Sequence, residues 1–250
     1  MTNWKGKLDS RSLTLIKRAA RCQLELGTGE IVIDRNNVNN HRSRLSRKVS
    51  QGQENSEPER YGSIEEHYQA IKDCQKCPLH KTRTNFVYGV GNPNADVLFI
   101  GEAPGKEEDL KGEPFVGRAG QLLDKILAAI NFSRDEVYIA NILKSRPPGN
   151  RDPQPDEMAA CLPYLMEQIR LIKPKIICAL GRISAQALLQ TTTPLGKLRK
   201  QWHDFHGIPF IVTYHPAALL RFQQYKKDVW EDVQMLRKKY DELVPENING

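Results

Sequence analysis

The chain has 250 residues, which is enough for one substantial domain with its own core and an appendage. Because it has no apolar run of about 18 residues, the sequence excludes a transmembrane helix as an interpretation. The N-terminal stretch MTNWKGKLDS lacks the apolar segment of a secretory signal, so we expect a cytoplasmic protein with reduced thiols. Disulfides are therefore a poor explanation for its five cysteines.

The net charge of +7 is carried by the N-terminal part of the chain. Residues 1–50 hold eleven Lys and Arg against four Asp and Glu, whereas the rest of the chain holds equal numbers of both signs. Because so polar a segment cannot bury a core, we expect residues 1–60 to form a basic, partly disordered extension. It either attracts a polyanion such as nucleic acid or is simply solvated. A folded domain is expected over residues 61–245.

The folded region begins with a helix and continues with alternating strands and helices. The stretch SIEEHYQAIKDC has helical spacing, with Ser63 as the expected N-cap and Glu66 as its capping-box partner. Four apolar runs, each followed by an amphipathic stretch, then predict strands: DVLFIG, VYIANIL, KIICALG and FIVTYHP. This alternation predicts an α/β protein with a doubly wound, mostly parallel four-stranded sheet flanked by helices.

Three of the four predicted strands end in unusual loops, which read GEAPGKEED, NILKSRPPGNR and YHPAALLR. In a parallel sheet, ligands bind in the crevice at the carboxyl ends of the strands. The three loops are therefore expected to line one shared crevice.

Four of the cysteines have a spacing that suggests a metal site. Cys74 and Cys77 form a C-x2-C pair at a helix end, Cys161 lies in a predicted helix over residues 156–172, and Cys178 lies in the third strand. Four thiolates can hold zinc or an iron–sulfur cluster, and the spacing alone favours neither. Cys161 and Cys178 could instead be buried small apolar residues.

The loops and cysteines together closely resemble the family 4 uracil-DNA glycosylases over about residues 63–240. The motifs that carry this resemblance are GEAPGKEED, GEPFVGRAGQLLD, NILKSRPPGNR and YHPAALLR, in this order. The resemblance implies a four-iron four-sulfur cluster held by Cys74, Cys77, Cys161 and Cys178. It also implies a DNA repair enzyme, expected to be monomeric, that acts on uracil in single- and double-stranded DNA. Such an enzyme flips the base out, hydrolyses the N-glycosidic bond, and leaves free uracil and an abasic site.

The resemblance assigns four residues to base recognition. Phe115 would stack on the flipped base, and Asn141 would donate to O4 and accept from N3–H, a pattern that cytosine reverses. Glu108 would exclude the C5 methyl group of thymine, and Ala103 would also face the uracil. From the residues alone, Phe115 could equally be core packing, Asn141 a strand-end cap and Glu108 a solvated loop charge.

The same resemblance assigns the chemistry to residues at the other strand ends. His215 would donate a hydrogen bond to O2 of the leaving uracil, supported by backbone amides around Glu102 and Ala103. Ala103 stands where the related family 1 enzymes carry an aspartate, so the simplest general base is missing. Asn150 would orient the water, and because an amide takes up no proton, the glycosidic bond is expected to break before water adds.

DNA contacts are expected from the rim of the crevice. Leu219 would be the apolar wedge that fills the gap left by the flipped base. Lys144, Arg146, Arg151 and Arg221 flank the loops and could hold phosphates, although each could be an ordinary surface charge. The alternatives are a related branch that traps the abasic product through a loop histidine, which KSRPPGNRDPQP lacks, a non-catalytic nucleic-acid-binding protein, and a redox protein.

Overall fold

A mixed sheet of six strands organises residues 61–245, the part of the chain that the computed structural model describes. The expectation for residues 1–60 lies outside the described residues. The strand order is β1-β3-β2-β4-β6-β5, and the central four strands are parallel. The strands are β1 (Val90–Gly91), β2 (Val97–Gly101), β3 (Tyr138–Asn141), β4 (Ile176–Leu180), β5 (His203–Phe205) and β6 (Ile208–Thr213).

The four parallel strands confirm the predicted α/β sheet. Every residue of β2, β3 and β4 is buried, as expected for strands covered by helices on both faces. The prediction of only four strands is wrong at the edges, where β1 and β5 add antiparallel pairs. These two strands have two and three residues, which is too short to produce a periodic sequence pattern.

The helices follow the predicted alternation, and α1 begins as its sequence indicates. The Ser63 side chain accepts from the backbone N–H of Glu66, whereas the Glu66 carboxylate reaches the N–H of Gly62 instead of closing a reciprocal box. Within the described range, no helix is both long enough and apolar enough to cross a membrane. The helices are α1 (Ile64–Ile71), α2 (Lys106–Lys111), α3 (Arg118–Ala129), α4 (Pro155–Ile172), α5 (Arg182–Leu188), α6 (Leu195–Leu198), α7 (Pro216–Arg221) and α8 (Tyr225–Leu243).

The core consists of two main apolar clusters, one on each face of the sheet. Strand β4 shows the division, because Ile177 and Ala179 belong to the cluster that includes Cys161 of α4. Its alternate residues, including Cys178, belong to the cluster that includes Leu236 of α8. Because successive side chains of a strand point to opposite faces, α4 and α8 pack on opposite sides of the sheet.

Candidate active site

A cavity of about 420 Å³ lies at the carboxyl ends of β2, β3 and β6. Its size is in the range of small-molecule sites. The loops after all three strands contribute to it, so the predicted shared crevice is confirmed. Nine residues assigned from the sequence line this cavity: Glu102, Ala103, Glu108, Phe115, Asn141, Asn150, Arg151, His215 and Arg221.

Asn141 presents an unpaired amide oxygen at the end of β3. The residue is only 2 % exposed, and its Oδ1 has no hydrogen-bond partner among the described residues. A buried acceptor without a partner costs about 1–3 kcal/mol, so the position favours a ligand that brings an N–H group. The backbone carbonyl of Asn141 is held by Lys144, whose Nζ donates to it at 2.8 Å.

Phe115 and His215 form one aromatic wall of the cavity. Their rings stack with centroids 5.3 Å apart and planes 29° from parallel. Phe115 has a φ of +55°, a conformation that is uncommon for a bulky residue and fixes the direction of its side chain. At Gly101, an added Cβ would lie 2.6 Å from Cζ of Phe115 and would also collide with Oδ1 of Asn141. Only glycine at the end of β2 therefore leaves room for this pair of side chains.

His215 is held as a neutral imidazole with a defined tautomer. Burial lowers the pKa of His215 to about 4, so the ring is uncharged at neutral pH. Its Nδ1 accepts from the backbone N–H of Ala217 at 3.2 Å. Since one nitrogen of a neutral imidazole accepts and the other donates, Nε2 carries the proton. His215 is thus prepared to donate a hydrogen bond without carrying a charge.

Glu102 and Asn150 bring a carboxyl group and an amide to the same cavity. Burial, with the nearby charge of Asp152, raises the pKa of Glu102 to about 7. Asn150 has a φ of +55°, and its Oδ1 accepts from Arg146 Nε at 2.7 Å. The sequence interpretation used only the backbone at Glu102 and missed this carboxyl group. Its position one residue beyond a buried strand was the available signal.

Glu108 braces the loops around the cavity. One carboxylate oxygen accepts from the backbone N–H of Gly105 at 3.1 Å, and the other accepts from those of Val116 and Gly117 at 3.0 Å each. These bonds tie the loop after β2 to the segment that carries Phe115. The role of Glu108 as a barrier to thymine stays a prediction, whereas its interpretation as a freely solvated charge is wrong.

The sequence model of the uracil DNA glycosylase superfamily matches residues 88–234, the segment that contains the whole cavity lining. The chain belongs to this superfamily. It is 46% identical over 189 residues to the type-4 uracil-DNA glycosylase of Archaeoglobus fulgidus, covering 72% of this chain and 93% of that protein. The corresponding enzyme of Pyrobaculum aerophilum is 42% identical over 183 residues, covering 69% of this chain and 92% of that protein. The corresponding enzyme of Saccharolobus solfataricus is 44% identical over 177 residues, covering 67% of this chain and 82% of that protein. These relatives confirm the type-4 resemblance.

Two of the DNA contacts predicted from the sequence, those of Lys144 and Leu219, are wrong. Lys144 has no solvent exposure, and its ammonium donates to Asn141 O and, at 2.5 Å, to Gln168 Oε1, so it cannot reach a phosphate. Leu219 is 2 % exposed and belongs to the apolar core on the α8 side of the sheet. As placed here, it is a packing residue and not a wedge.

The three arginines that were also predicted to bind phosphates differ in whether their side chains already have partners within the protein. Arg151 is committed to a bidentate pair with the buried Glu157, with contacts of 2.9 and 2.6 Å. Arg146 is partly buried against Asn150. Arg221 is exposed at the cavity, and no hydrogen bond or ion pair engages its side chain within residues 61–245. Arg221 is therefore the guanidinium best placed to meet a phosphate.

An exposed aromatic residue that the sequence interpretation missed stands at the cavity edge. Phe222 directly follows α7, lines the cavity and is 48% exposed, and its neighbour Leu220 is 39% exposed. The pattern ALLRF contains several apolar residues, and nothing in it indicates which of them face solvent. The structure thus offers Phe222 and Leu220, in place of Leu219, as apolar groups at the surface.

The four cysteines of this glycosylase do not surround one point. The Cys161 thiol donates a hydrogen bond to Cys77, which lowers the pKa of Cys77 to about 6. The Sγ of Cys74 accepts from the Tyr164 hydroxyl at 3.2 Å, one helical turn beyond Cys161. Cys178 lies on the opposite face of the sheet, so its assignment as a fourth ligand is wrong.

The positions of the cysteines also do not support a site for one metal ion such as zinc. Within residues 61–245, no three His, Cys, Asp or Glu side chains converge closely enough to hold one metal ion. A zinc site needs ligand atoms at about 2.0–2.3 Å from one centre, so the zinc alternative is disfavoured. The ligands of a cluster bind different irons and can be farther apart, so this test does not apply to an iron–sulfur cluster.

Proposed function

We propose that the protein is a DNA repair enzyme that hydrolyses the N-glycosidic bond of uracil in DNA, releasing free uracil and leaving an abasic site. The single observation that carries this proposal is the unpaired Oδ1 of buried Asn141 beside the Phe115 ring. A flat ligand with an N–H group next to a carbonyl satisfies both features, and the uracil edge has this pattern.

Selectivity for uracil follows from the donor and acceptor order of the Asn141 amide. Oδ1 accepts from N3–H, and the Nδ2 group donates to O4 of uracil. Cytosine has an acceptor at N3 and a donor at N4, so the same orientation of the amide places Oδ1 against an acceptor and Nδ2 against a donor. Stacking on Phe115 adds about 1–3 kcal/mol without regard to base identity. Ala103, at the start of the neighbouring loop, leaves space for the base, and Glu108 is the proposed barrier to a C5 methyl group.

Departure of uracil leaves negative charge on the base, and His215 is the group proposed to stabilise it. The neutral ring, whose Nδ1 accepts from Ala217, donates Nε2–H toward O2, and Glu102 and Ala103 line the same cavity. A single preorganised donor to a developing oxyanion is worth about 10²–10³ in rate. Because the ring is already neutral and buried, it needs no proton transfer or reorganisation when the charge develops.

Water is proposed to be positioned by Asn150 and Glu102. Arg146 fixes the Asn150 amide by binding Oδ1, which leaves Nδ2 to hold the water. Asn150 takes up no proton, whereas the Glu102 carboxyl group, with its raised pKa, accepts one near neutral pH. This division keeps the stepwise order, in which the bond to uracil breaks first and water then adds to the sugar.

DNA is proposed to cross the mouth of the cavity with its phosphates near Arg221, Arg146 and Arg151. Action as a monomer is part of this proposal. Single- and double-stranded DNA are both proposed substrates, because the cavity receives only the flipped base. A DNA substrate also fits a cytoplasmic, nucleoid-associated location.

An iron–sulfur cluster, implied by the type-4 resemblance, is proposed only with a ligand set that differs from the predicted four cysteines. Cys178 cannot join Cys77 and Cys161, because it lies across the sheet from them. No step of the proposed reaction passes through a cluster. When bound, such a group would fasten the segment that carries Cys74 and Cys77 to α4.

The test is incubation with single- and double-stranded oligonucleotides that contain one uracil, followed by alkali and a gel. We expect strand cleavage at the uracil, lost in Asn141→Ala and retained in Asn94→Ala, a matched change at an exposed asparagine away from the cavity. Binding without cleavage would support a non-catalytic nucleic-acid-binding protein instead. A covalent protein–DNA adduct would support the product-trapping branch.

A further inference from the structure

The position of Cys178 is fixed by the sheet and cannot be exchanged by a side-chain rotation. Its strand β4 is paired on both sides, with Cys178 opposite Phe99 of β2 and Ile211 of β6. Bringing its sulfur to the other face would require a slip of one residue in both ladders, which would invert every side chain of β4. Cys178 is therefore a core residue facing α8, in the cluster that contains Val229 and Val233.

The three remaining cysteines lie where the segment after α1 meets α4. Cys77 and Cys161 are in hydrogen-bonding contact, and both belong to the apolar cluster on the α4 face of the sheet. Cys74 contacts the hydroxyl of Tyr164, which lies three residues after Cys161 on the same helix. Thiols from two separate segments thus meet near the middle of α4.

Ser145 lies beside these thiols. The backbone of the preceding residue, Lys144, forms a hydrogen bond to the sulfur of Cys161. Ser145 itself is 3% exposed, and its Oγ accepts from Arg83 NH1 at 3.2 Å. The same guanidinium donates to the carbonyl of Lys72, two residues before Cys74. A single arginine therefore ties the Ser145 hydroxyl to the segment that carries Cys74 and Cys77.

We infer that the cysteine site of this protein has three thiol ligands, from Cys74, Cys77 and Cys161. The Ser145 hydroxyl lies on the side where the fourth ligand would be. An iron–sulfur cluster bound there would have one iron without a cysteine ligand. Thiolates are the ligands that iron–sulfur clusters select, and a neutral hydroxyl is a much poorer one. The iron on the Ser145 side is therefore the one that is lost most easily.

The expected chemistry is a defined oxidative loss. Treatment with ferricyanide removes one electron from a four-iron cluster of charge 2+, and one ferrous ion leaves. The product is a three-iron cluster of charge 1+, so the charges balance, and the electron reduces ferricyanide to ferrocyanide. This product is paramagnetic, so electron paramagnetic resonance detects it and separates it from complete breakdown of the cluster.

Three variants of the full-length protein, purified without oxygen, test the ligand set by iron and acid-labile sulfide content. We expect Cys178→Ala to keep the wild-type content of both, and Cys74→Ser to lose most of it. Cys74 is only half-buried, so its replacement spares the core, and circular dichroism checks that the variant is folded. Ser145→Cys is expected to hold its cluster and to yield a much weaker three-iron signal with ferricyanide.

Loss of iron and sulfide in Cys178→Ala while its fold is intact would overturn the inference. So would a wild-type protein that binds no iron after anaerobic reconstitution, or one whose ferricyanide response is unchanged by Ser145→Cys. These readouts are independent of uracil excision, so failure of the ligand set and failure of the proposed activity are distinguished.

Discussion

The ammonium of Lys144 donates to the backbone carbonyl of Asn141 at 2.8 Å, from a position without solvent exposure. Its second acceptor, Gln168 Oε1 at 2.5 Å, is also fully buried, and Gln168 Nε2 donates to the carbonyl of Tyr88. The lysine predicted to bind DNA is thus part of the floor beneath the residue proposed to recognise uracil. It holds the end of β3 in place from the α4 side.

Lys144→Met is expected to lower excision without changing the electrostatics of DNA binding. The variant leaves two buried acceptors unpaired, at a cost of about 1–3 kcal/mol each, and loosens the Asn141 backbone. We expect kcat/KM for uracil to fall by about tenfold or more, since about 1.4 kcal/mol of lost transition-state stabilisation corresponds to tenfold. The slope of log affinity for DNA against log salt should equal that of the wild type.

Arg221→Ala is the matched comparison for Lys144→Met. A residue that neutralises a phosphate contributes about one unit to the salt slope, so this variant should bind uracil-free DNA more weakly and with a shallower slope. If Lys144→Met flattened the slope and Arg221→Ala did not, the assignment of the two residues would be reversed.

Glu102→Gln is predicted to remove a pH dependence of the reaction. Burial raises the pKa of Glu102 to about 7, so the active carboxylate form grows as pH rises through 7. Single-turnover excision by the wild type should therefore increase across this window. Proton acceptance by a positioned side chain contributes about 10²–10⁴ in rate, and the glutamine variant should lose that factor and have a flat profile.

If Glu102 is the proton acceptor, Glu102→Gln must both lower the excision rate and remove its rise through pH 7. A variant with a lowered rate but an unchanged rise through pH 7 would assign the titration to another group. Asp152 raises the pKa of Glu102 by its charge, so Asp152→Asn should shift the midpoint of the wild-type profile to lower pH. This shift is measurable without loss of the carboxylate itself.

His215→Ala is expected to slow excision by about 10²–10³, the cost of losing one donor to a developing oxyanion. Single-turnover kinetics on single-stranded DNA measure this effect with the least contribution from base-pair opening. Retention of the wild-type rate would exclude His215 as the donor to the leaving base.

The lowered pKa of His215 also leads us to expect that the stability of the folded protein depends on pH. Its pKa is lowered to about 4 in the folded protein, below its usual value of about 6.5 in an unfolded chain. Between these values the unfolded chain binds a proton that the native protein does not, so stability rises with pH there and is lost as pH falls. Urea unfolding of the wild type across this window should show a rise that His215→Ala reduces.

The sequence predicted the pocket well because its residues come directly after strands. Asn141 ends β3, and His215 lies two residues beyond β6, so the order of strands and loops alone brings them to one edge of the sheet. Phe115 was placed by its motif. The distance between its ring and His215 depends on a positive φ at Phe115, which a sequence pattern does not reveal.

The wrong assignments concern the direction in which a side chain points. Cys178 lies in a strand buried on both faces, where the apolar run does not alternate and gives no sign of which residues face α4. Lys144 lies in a loop with two other basic residues, and only the tertiary structure turns it inward. Leu219 was assigned as the wedge from the sequence, although α7 is too short for an apolar periodicity to define its buried face.

Removal of the Phe222 side chain should impair excision from double-stranded DNA more than from single-stranded DNA. Phe222 is half-exposed at the cavity edge, and an apolar group inserted at the vacated position offsets part of the cost of unstacking. That cost is a few kcal/mol for a paired base and smaller for an unpaired one. We therefore expect Phe222→Ala to lower the ratio of double- to single-strand rates, with Leu220→Ala testing the neighbouring exposed residue.

Leu219→Ala is the control for this wedge, because the residue is buried in the core. Truncation of a buried leucine costs about 2–5 kcal/mol of stability, so this variant should unfold at lower urea concentration. Below its unfolding transition, it should keep the wild-type ratio of double- to single-strand rates. A selective loss of double-strand excision in a folded Leu219→Ala protein, with no such loss in Phe222→Ala, would return the wedge to Leu219 and require α7 to rotate on DNA.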